Sequence, residues 1–154
     1  MTVPADSIDR IMTVMAAAFD PAFGEAWTRR QIEDSLMLSR SHAGLIAPDG
    51  REPEGSDPTA GFFLSRTGVE EEELLLLAVM PEYRRQGLAT ALLRRFSDES
   101  RARGAKRLLL EMRRDNPAEL LYRSHGFEPI GVRPNYYRVP GGALIDAVTF
   151  ACDL

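Results

Sequence analysis

Apolar residues recur at helical spacing over the first forty positions and at the shorter period of strands after them. Ile8, Ile11, Met12, Met15 and Phe19 fall on one face of a helix predicted over residues 7–19. Asp6 or Ser7 can cap its start, and Asp20-Pro21 stops it. Thr28 stands where an N-cap would open a second helix running to about residue 38, and Gln31, three residues on, completes a capping box. Strands are predicted over residues 43–47, 59–66 and 72–79, the first two separated by a loop at 48–58 that carries three prolines and two glycines.

Helical spacing returns at Gly87, with Leu88, Leu92, Leu93 and Phe96 on one face and Arg101, Arg103 and Gly104 marking the end. A nearly continuous apolar strand follows at 106–111, then a short helix at 116–124 with Pro117 in its first position, then strands at 127–133 and 144–151. Helices flanking a mostly antiparallel sheet make an α/β (or α+β) fold. With no repeat, low-complexity tract or second-domain linker, residues 1–154 read as one domain.

One junction in this pattern carries chemistry. The strand ending at Val79 runs through Met80-Pro81-Glu82-Tyr83 into Arg84-x-x-Gly87-x-Ala89, and the helix starts at once. A strand, a glycine-containing loop and a helix N-terminus in that order aim unpaired N–H groups and the positive end of a helix dipole at one spot. Gly87 permits a positive φ or a close backbone approach, and Ala89, Thr90 and Ala91 keep the helix start open. A pyrophosphate is the natural ligand. An ordinary turn with a solvated Arg84-Arg85 pair is equally compatible with the spacing alone. Neither the Gly-Lys-Ser/Thr of a P-loop nor a Gly-x-Gly-x-x-Gly is present.

Composition narrows the picture. A net charge of −4 argues against a general nucleic-acid binder, and no apolar run reaches the length of a membrane span. The N-terminus lacks the basic and apolar regions of a secretory signal, and a single cysteine, Cys152, excludes an internal disulfide. Two well-separated histidines give no metal-ligand spacing, so a metal is not expected. These features together predict a cytoplasmic protein. Four consecutive glutamates, residues 70–73, precede an arginine-rich stretch from 84 to 114, either as an acidic entrance beside a basic groove or as plain solvated surface.

Arg84-Arg85-Gln86-Gly87-Leu88-Ala89 resembles the acetyl-CoA signature of the GCN5-related N-acetyltransferases (GNAT), Arg/Gln-x-x-Gly-x-Gly/Ala, in its usual place after a strand ending Leu77-Ala78-Val79. Leu110-Glu111-Met112-Arg113, Asn116-Pro117-Ala118 and Leu121-Tyr122 through Gly126-Phe127 are similar to the family's next strand and helix. The ending, Arg133-Pro134-Asn135-Tyr136-Tyr137 followed by Asp146-Ala147, resembles the RimI-type branch, bacterial enzymes that acetylate the N-terminal alanine of a ribosomal protein. Recognisable motifs cover residues 71–150.

The resemblance implies a sheet that splays open between its two central strands, acetyl-CoA entering the gap, and transfer of the acetyl group to an amine. It implies that Leu77, Ala78 and Val79 bind the amide-bearing arm of the cofactor along a backbone edge, with an N–H near Val79 stabilising the developing oxyanion. Arg84, Arg85, Gln86, Gly87, Leu88, Ala89 and Thr90 would hold its phosphates, and Asn116 its pantetheine arm. Glu111 ends an apolar strand, where partial desolvation can raise a carboxyl's pKa and suit it to general-base work through water; a salt bridge to a nearby arginine is the alternative. The resemblance favours the base. Glu73, near the acceptor, is the runner-up, because other branches place their base at that matching point. Tyr122, otherwise an aromatic core residue, becomes by resemblance the acid that protonates the leaving thiolate and a cofactor contact.

Trp27, Tyr136, Tyr137 and Asp146 are candidates for the acceptor site. Ala26 stands where the branch has proline before Trp27, Ile145 where relatives carry glutamate, and Leu76 where close relatives often carry asparagine. The expected activity is acetyl-CoA-dependent N-acetylation of a protein or peptide N-terminal α-amine, with a ribosomal protein as partner and no direct contact to nucleic acid or membrane. The alternatives are a small-molecule amine as acceptor, or a regulatory module that binds CoA without turnover.

Overall fold

The computed structural model describes residues 5–19, 25–38, 40–139 and 141–154. Its elements are α1 (Ala5–Ala18), α2 (Arg29–Met37), β1 (Ser41–Ile46), β2 (Gly61–Thr67), β3 (Glu71–Val79), a short 3₁₀ turn (Pro81–Tyr83), α3 (Leu88–Ala102), β4 (Arg107–Arg113), α4 (Glu119–Ser124), β5 (Glu128–Arg138) and β6 (Leu144–Asp153). The six strands form one sheet in the order β1-β2-β3-β4-β6-β5, antiparallel throughout except for the parallel pair β3–β4. This is the mixed, mostly antiparallel sheet with four flanking helices that the periodicities predict.

Two apolar clusters cover the two faces. On one face Leu88, Leu92, Leu93 and Phe96 of α3 and Tyr122 of α4 pack on Phe63, Leu108, Leu110 and Phe150. On the other, Ile11, Val14 and Met15 of α1 and Ile32 and Leu36 of α2 pack on Phe62, Leu64, Leu76 and Ala78. The capping box at α2 forms as read: Thr28 Oγ1 accepts the Gln31 N–H at 3.2 Å, and Gln31 Oε1 accepts the Thr28 N–H at 2.7 Å.

The sheet opens at its centre. β3 pairs with β4 only from Glu71 opposite Arg107 to Leu74 opposite Leu110, although β3 runs on to Val79 and β4 to Arg113. A matching irregularity lies on the other side of β3. Leu64 faces Leu76 and Ser65 faces Leu74, so Leu75 is an extra residue in the β2–β3 ladder. Such a bulge bends a strand and increases its twist. It also shifts which side chains share a face: Leu74 joins the α3 side, while Leu75 and Leu76 both lie on the α1–α2 side. The bend coincides with the last β3–β4 pair, and beyond it the two strands diverge.

The glutamate run occupies the paired end of the sheet and does not border the gap. Glu72 is fully buried; its carboxylate takes hydroxyls from Ser65 and Ser100 at 2.8 and 2.9 Å, one from Thr67 at 2.8 Å, and Arg103 Nε at 2.9 Å. Burial alone would push its pKa up, but the hydrogen bonds from Arg103, Thr67, Ser65 and Ser100 outweigh it and hold the carboxyl below its ordinary range. Glu70 pairs with Lys106 and Glu73 with Arg66. An acidic entrance beside the cofactor groove is therefore corrected to a buried clamp on the end of α3 and two surface ion pairs.

Candidate active site

The β3–α3 connection builds the anion-binding end of the gap. Arg85 and Gly87 both take positive φ, 64° and 79°, which turns the chain sharply before α3. Among the described residues, the first backbone bond of α3 is Ala91 N–H to Gly87 O at 3.0 Å, so the amides of Leu88, Ala89 and Thr90 are left without a backbone acceptor. The loop and the start of α3 border a cavity of about 200 Å³ lined by Val79, Tyr83, Arg84, Arg85, Gly87, Leu88, Ala89 and Thr90.

Arg84 does not extend toward that cavity as a free cation. Its Nε donates to Val79 O at 3.1 Å and its Nη2 to Ala18 O at 3.0 Å, so the side chain ties the end of β3 to the end of α1 and fixes where the loop begins. A side chain at Gly87 would meet no protein atom within 4 Å, so its Cβ would project into the open space in front of the loop. Gly87→Val should weaken CoA binding about tenfold or more, from positive-φ strain and lost phosphate approach, with thermal stability lowered by only a few degrees. Titration calorimetry with CoA checks this; parent-like affinity would show that phosphates do not approach the loop.

The open edge of β3 supplies the middle of the gap. Met80 N–H donates to Ala60 O at 2.7 Å across the Gly61–Val79 pair, so Gly61–Val79 is a non-hydrogen-bonded pair of the β2–β3 ladder. The N–H and C=O of Val79, and by alternation those of Leu77, therefore point away from β2 and into the gap. Arg84 occupies the Val79 carbonyl, which leaves the Val79 N–H facing the opening. The backbone groups of Ala78 turn to Phe62 instead. Its side chain is buried against α1 and α2.

Glu111 is the first residue of β4 past the last β3–β4 pair, so it sits at the fork. Its side chain is 20% exposed; Oε2 receives Thr149 Oγ1 at 3.3 Å and lies 3.2 Å from Arg133 Nε. Oε1 has no protein partner among the described residues. Arg113, two residues along the same face, donates its Nε to Glu25 Oε1 at 3.0 Å. Arg133 also lies over the Tyr136 ring at 5.4 Å, and Tyr136 meets Tyr137 edge-on at 5.1 Å. Burial first, then the charges of Glu111 and Glu25, push the Tyr137 hydroxyl up to about 12 against the opposing charge of Arg133.

Tyr122 is buried on α4 and packs edge-on against Phe127 at 5.9 Å. Its hydroxyl has no protein acceptor among the described residues. Burial and then the negative charge of Glu25 hold its pKa well above the usual phenol range. Asn116 Oδ1 accepts the Ala118 N–H at 2.9 Å at the turn into α4, leaving its amide nitrogen for other work. The regular helix begins only at Glu119, later than the spacing predicts.

The opening thus has Val79 and Gly87 on one cavity and Glu111 at the fork, with the charge of Glu25 felt by both Tyr122 and Tyr137. Glu73 is not brought to it: its Oε1 holds Arg66 at 2.7 Å in the paired half of the sheet, roughly 20 Å along the strand from Val79 at about 3.3 Å per residue. Trp27 is half-buried against the α1–α2 cluster. Asp146 faces β5, with its carboxylate on Asn135 N–H and Arg114. Three residues escaped the sequence reading. Arg113 could have been found by the period of two from Glu111, and Arg133 lay inside a quoted motif. Glu25 comes from the α1–α2 connection and only tertiary structure brings it here.

Fold and fork together are those of the GNAT class of domain. The sequence matches the Acetyltransferase (GNAT) domain family over residues 54–129, and the chain belongs to that family. A putative ribosomal protein bS18-alanine N-acetyltransferase of Bacillus subtilis is 31% identical over 94% of this chain and 90% of its own length. The bS18-alanine N-acetyltransferase of Haemophilus influenzae is 35% identical over 61% of this chain, and the match spans 64% of that relative's length. The crystal structure of the Escherichia coli ribosomal-protein-S18-alanine N-acetyltransferase superposes with a TM-score of 0.80 at 28% identity, covering 99% of this chain and 91% of that one.

Proposed function

We propose that the chain is an acetyl-CoA-dependent N-acetyltransferase acting on the α-amine of a protein N-terminus, with a ribosomal protein as the acceptor class. The observation that carries it is the fork itself, which puts Glu111 on one strand of the opening and the outward-facing Val79 N–H on the other, beside the N-terminus of α3. The names of the B. subtilis, H. influenzae and E. coli relatives support the acceptor class, as does the Arg133–Tyr137 segment beside Glu111. A ribosomal acceptor places the reaction in the cytoplasm.

Acetyl-CoA, when bound, supplies an acetyl group activated as a thioester. The amides at the start of α3 hold its anionic end, Leu77 binds its amide arm as an added strand would, and Asn116 offers its amide nitrogen. Glu111 Oε1 takes the proton from the acceptor ammonium, directly or through water. The Val79 N–H faces the oxygen on which negative charge develops, and Tyr122 gives its proton to the departing sulfur and is reprotonated by the proton that the new amide nitrogen sheds. Positioning both reactants in one gap supplies several kcal/mol more.

The test compares an alanine-initiated peptide bearing a free N-terminus with the same peptide blocked there and carrying an internal lysine. An α-amine titrates near ~8 and a lysine near ~10.4, so the same base frees the first far more readily. Thiol release with the free peptide should exceed that with the blocked one by at least about tenfold. Equal rates, or activity only on free polyamines, would defeat the N-terminal reading; no thiol release with any amine would defeat the enzyme.

A further inference from the structure

We propose that Asp146 is a positioning residue that holds the tyrosine pair through the bulge of β5, and that it does not itself bind the acceptor. The proposal rests on the reading that a peptide is received at this face. Arg133 pairs with Ala147 and Tyr137 with Ile145, so Pro134, Asn135 and Tyr136 stand together opposite the single residue Asp146. Pro134 lacks an N–H and cannot hold the ladder there. Asn135 takes φ 56°, a conformation that asparagine tolerates better than most residues but less readily than glycine.

Both carboxylate oxygens of Asp146 are engaged with this irregularity. Oδ1 accepts the Asn135 N–H at 2.9 Å and Oδ2 accepts Arg114 Nε at 3.3 Å. The Asp146 carbonyl also takes the Arg114 N–H at 2.8 Å. Arg114 opens the turn that leads through Asn116 to α4 and Tyr122, so one side chain joins the strand that presents Tyr136 and Tyr137 to the exit of the strand that presents Glu111. The guanidinium beside Asp146 offsets its charge toward an incoming ammonium. Left without the Asn135 hydrogen bond, only the intrinsic tolerance of asparagine for positive φ holds the bulge, and the edge-on contact of the two tyrosines beneath Arg133 loses support.

The experiment compares Asp146→Ala, Asp146→Asn and Asp146→Ala combined with Asn135→Gly. Near-UV circular dichroism reports the tyrosine pair, and peptide KM, kcat and CoA affinity are measured beside it. Asp146→Ala should raise peptide KM about tenfold, the loss of one charge-assisted hydrogen bond, with CoA affinity unchanged and the tyrosine signal diminished. Asp146→Asn keeps an oxygen for the Asn135 N–H and should stay within about threefold of the parent. Adding Asn135→Gly to Asp146→Ala should recover most of the signal and KM, because glycine adopts the bulge conformation unaided. Equal damage from Asp146→Asn and Asp146→Ala with no rescue by glycine would overturn the proposal and make Asp146 an ammonium ligand. A tyrosine signal unchanged in Asp146→Ala would overturn it as well. If the parent acetylates no peptide, the acceptor reading fails by itself, and the dichroism series still decides what Asp146 does.

Discussion

Tyr122→Phe should lower turnover about a hundredfold and leave CoA affinity and thermal stability close to those of the parent, because it removes one general acid and little else. The ring is buried against Phe127, and phenylalanine fills the same space. The lost hydroxyl has no protein acceptor among the described residues, so its removal orphans no partner. Burial and the charge of Glu25 raise the Tyr122 pKa above the usual phenol range. The sign follows directly: the phenol remains protonated across neutral and mildly alkaline pH, so it is always ready to donate and contributes no falling limb to the rate profile below the ordinary phenol pKa of about 10. Full turnover in the variant would mean that the thiolate leaves unprotonated or that another group supplies the proton. A matching loss of CoA affinity would mark Tyr122 as a packing residue.

The sequence was most legible where a local rule sufficed. Of the predicted α1 face, Ile11 and Met15 are buried and Ile8, Met12 and Phe19 partly so, Val14 joins them unpredicted, and Thr28 with Gln31 closes its capping box. Residues 84–89 could be placed at a helix N-terminus from Gly87 and the apolar period that follows. Legibility ended where a side chain's partner came from elsewhere in the chain. Nothing in Glu70-Glu71-Glu72-Glu73 distinguishes the one glutamate that Ser65, Thr67, Ser100 and Arg103 bury from its neighbours. Arg84 belongs to a signature associated with phosphates, yet its guanidinium is spent on the carbonyls of Val79 and Ala18.

The bulge at Leu75 was hidden for a different reason. Four leucines in a row satisfy either phase of a period-two pattern, so the residue that slips the register leaves no trace in hydrophobicity. That slip falls where the sheet opens. β5 shows the same limit, running on to Arg138 past Pro134, where a proline on an edge strand is tolerated and the predicted stop at 133 is not taken.

Glu111→Gln tests the base with a readout that depends on pH. A carboxylate facing the gap can accept a proton from an ammonium, so the parent can use acceptor that arrives charged. The amide cannot, and the variant must rely on the fraction of α-amine already neutral in solution. That fraction falls about tenfold per unit below an amine pKa of about 8. The variant should therefore be slower by about a hundredfold at pH 6 to 7, and the deficit should shrink as the pH passes about 8, where the acceptor deprotonates unaided. Glutamine preserves the shape of the side chain and an oxygen for Thr149, so the fork should keep its geometry, while the ion pair to the well-exposed Arg133 contributes little to stability. The measurement is kcat/KM against pH for the parent, Glu111→Gln and Glu73→Gln, each with the same free-N-terminal peptide. A deficit constant across pH would make Glu111 a structural anchor for Thr149 and Arg133. A pH-dependent deficit in Glu73→Gln and none in Glu111→Gln would move the base to β3. That second outcome would require Glu73 to leave Arg66 and act from the paired half of the sheet, where β3 and β4 leave no gap for an acceptor to enter.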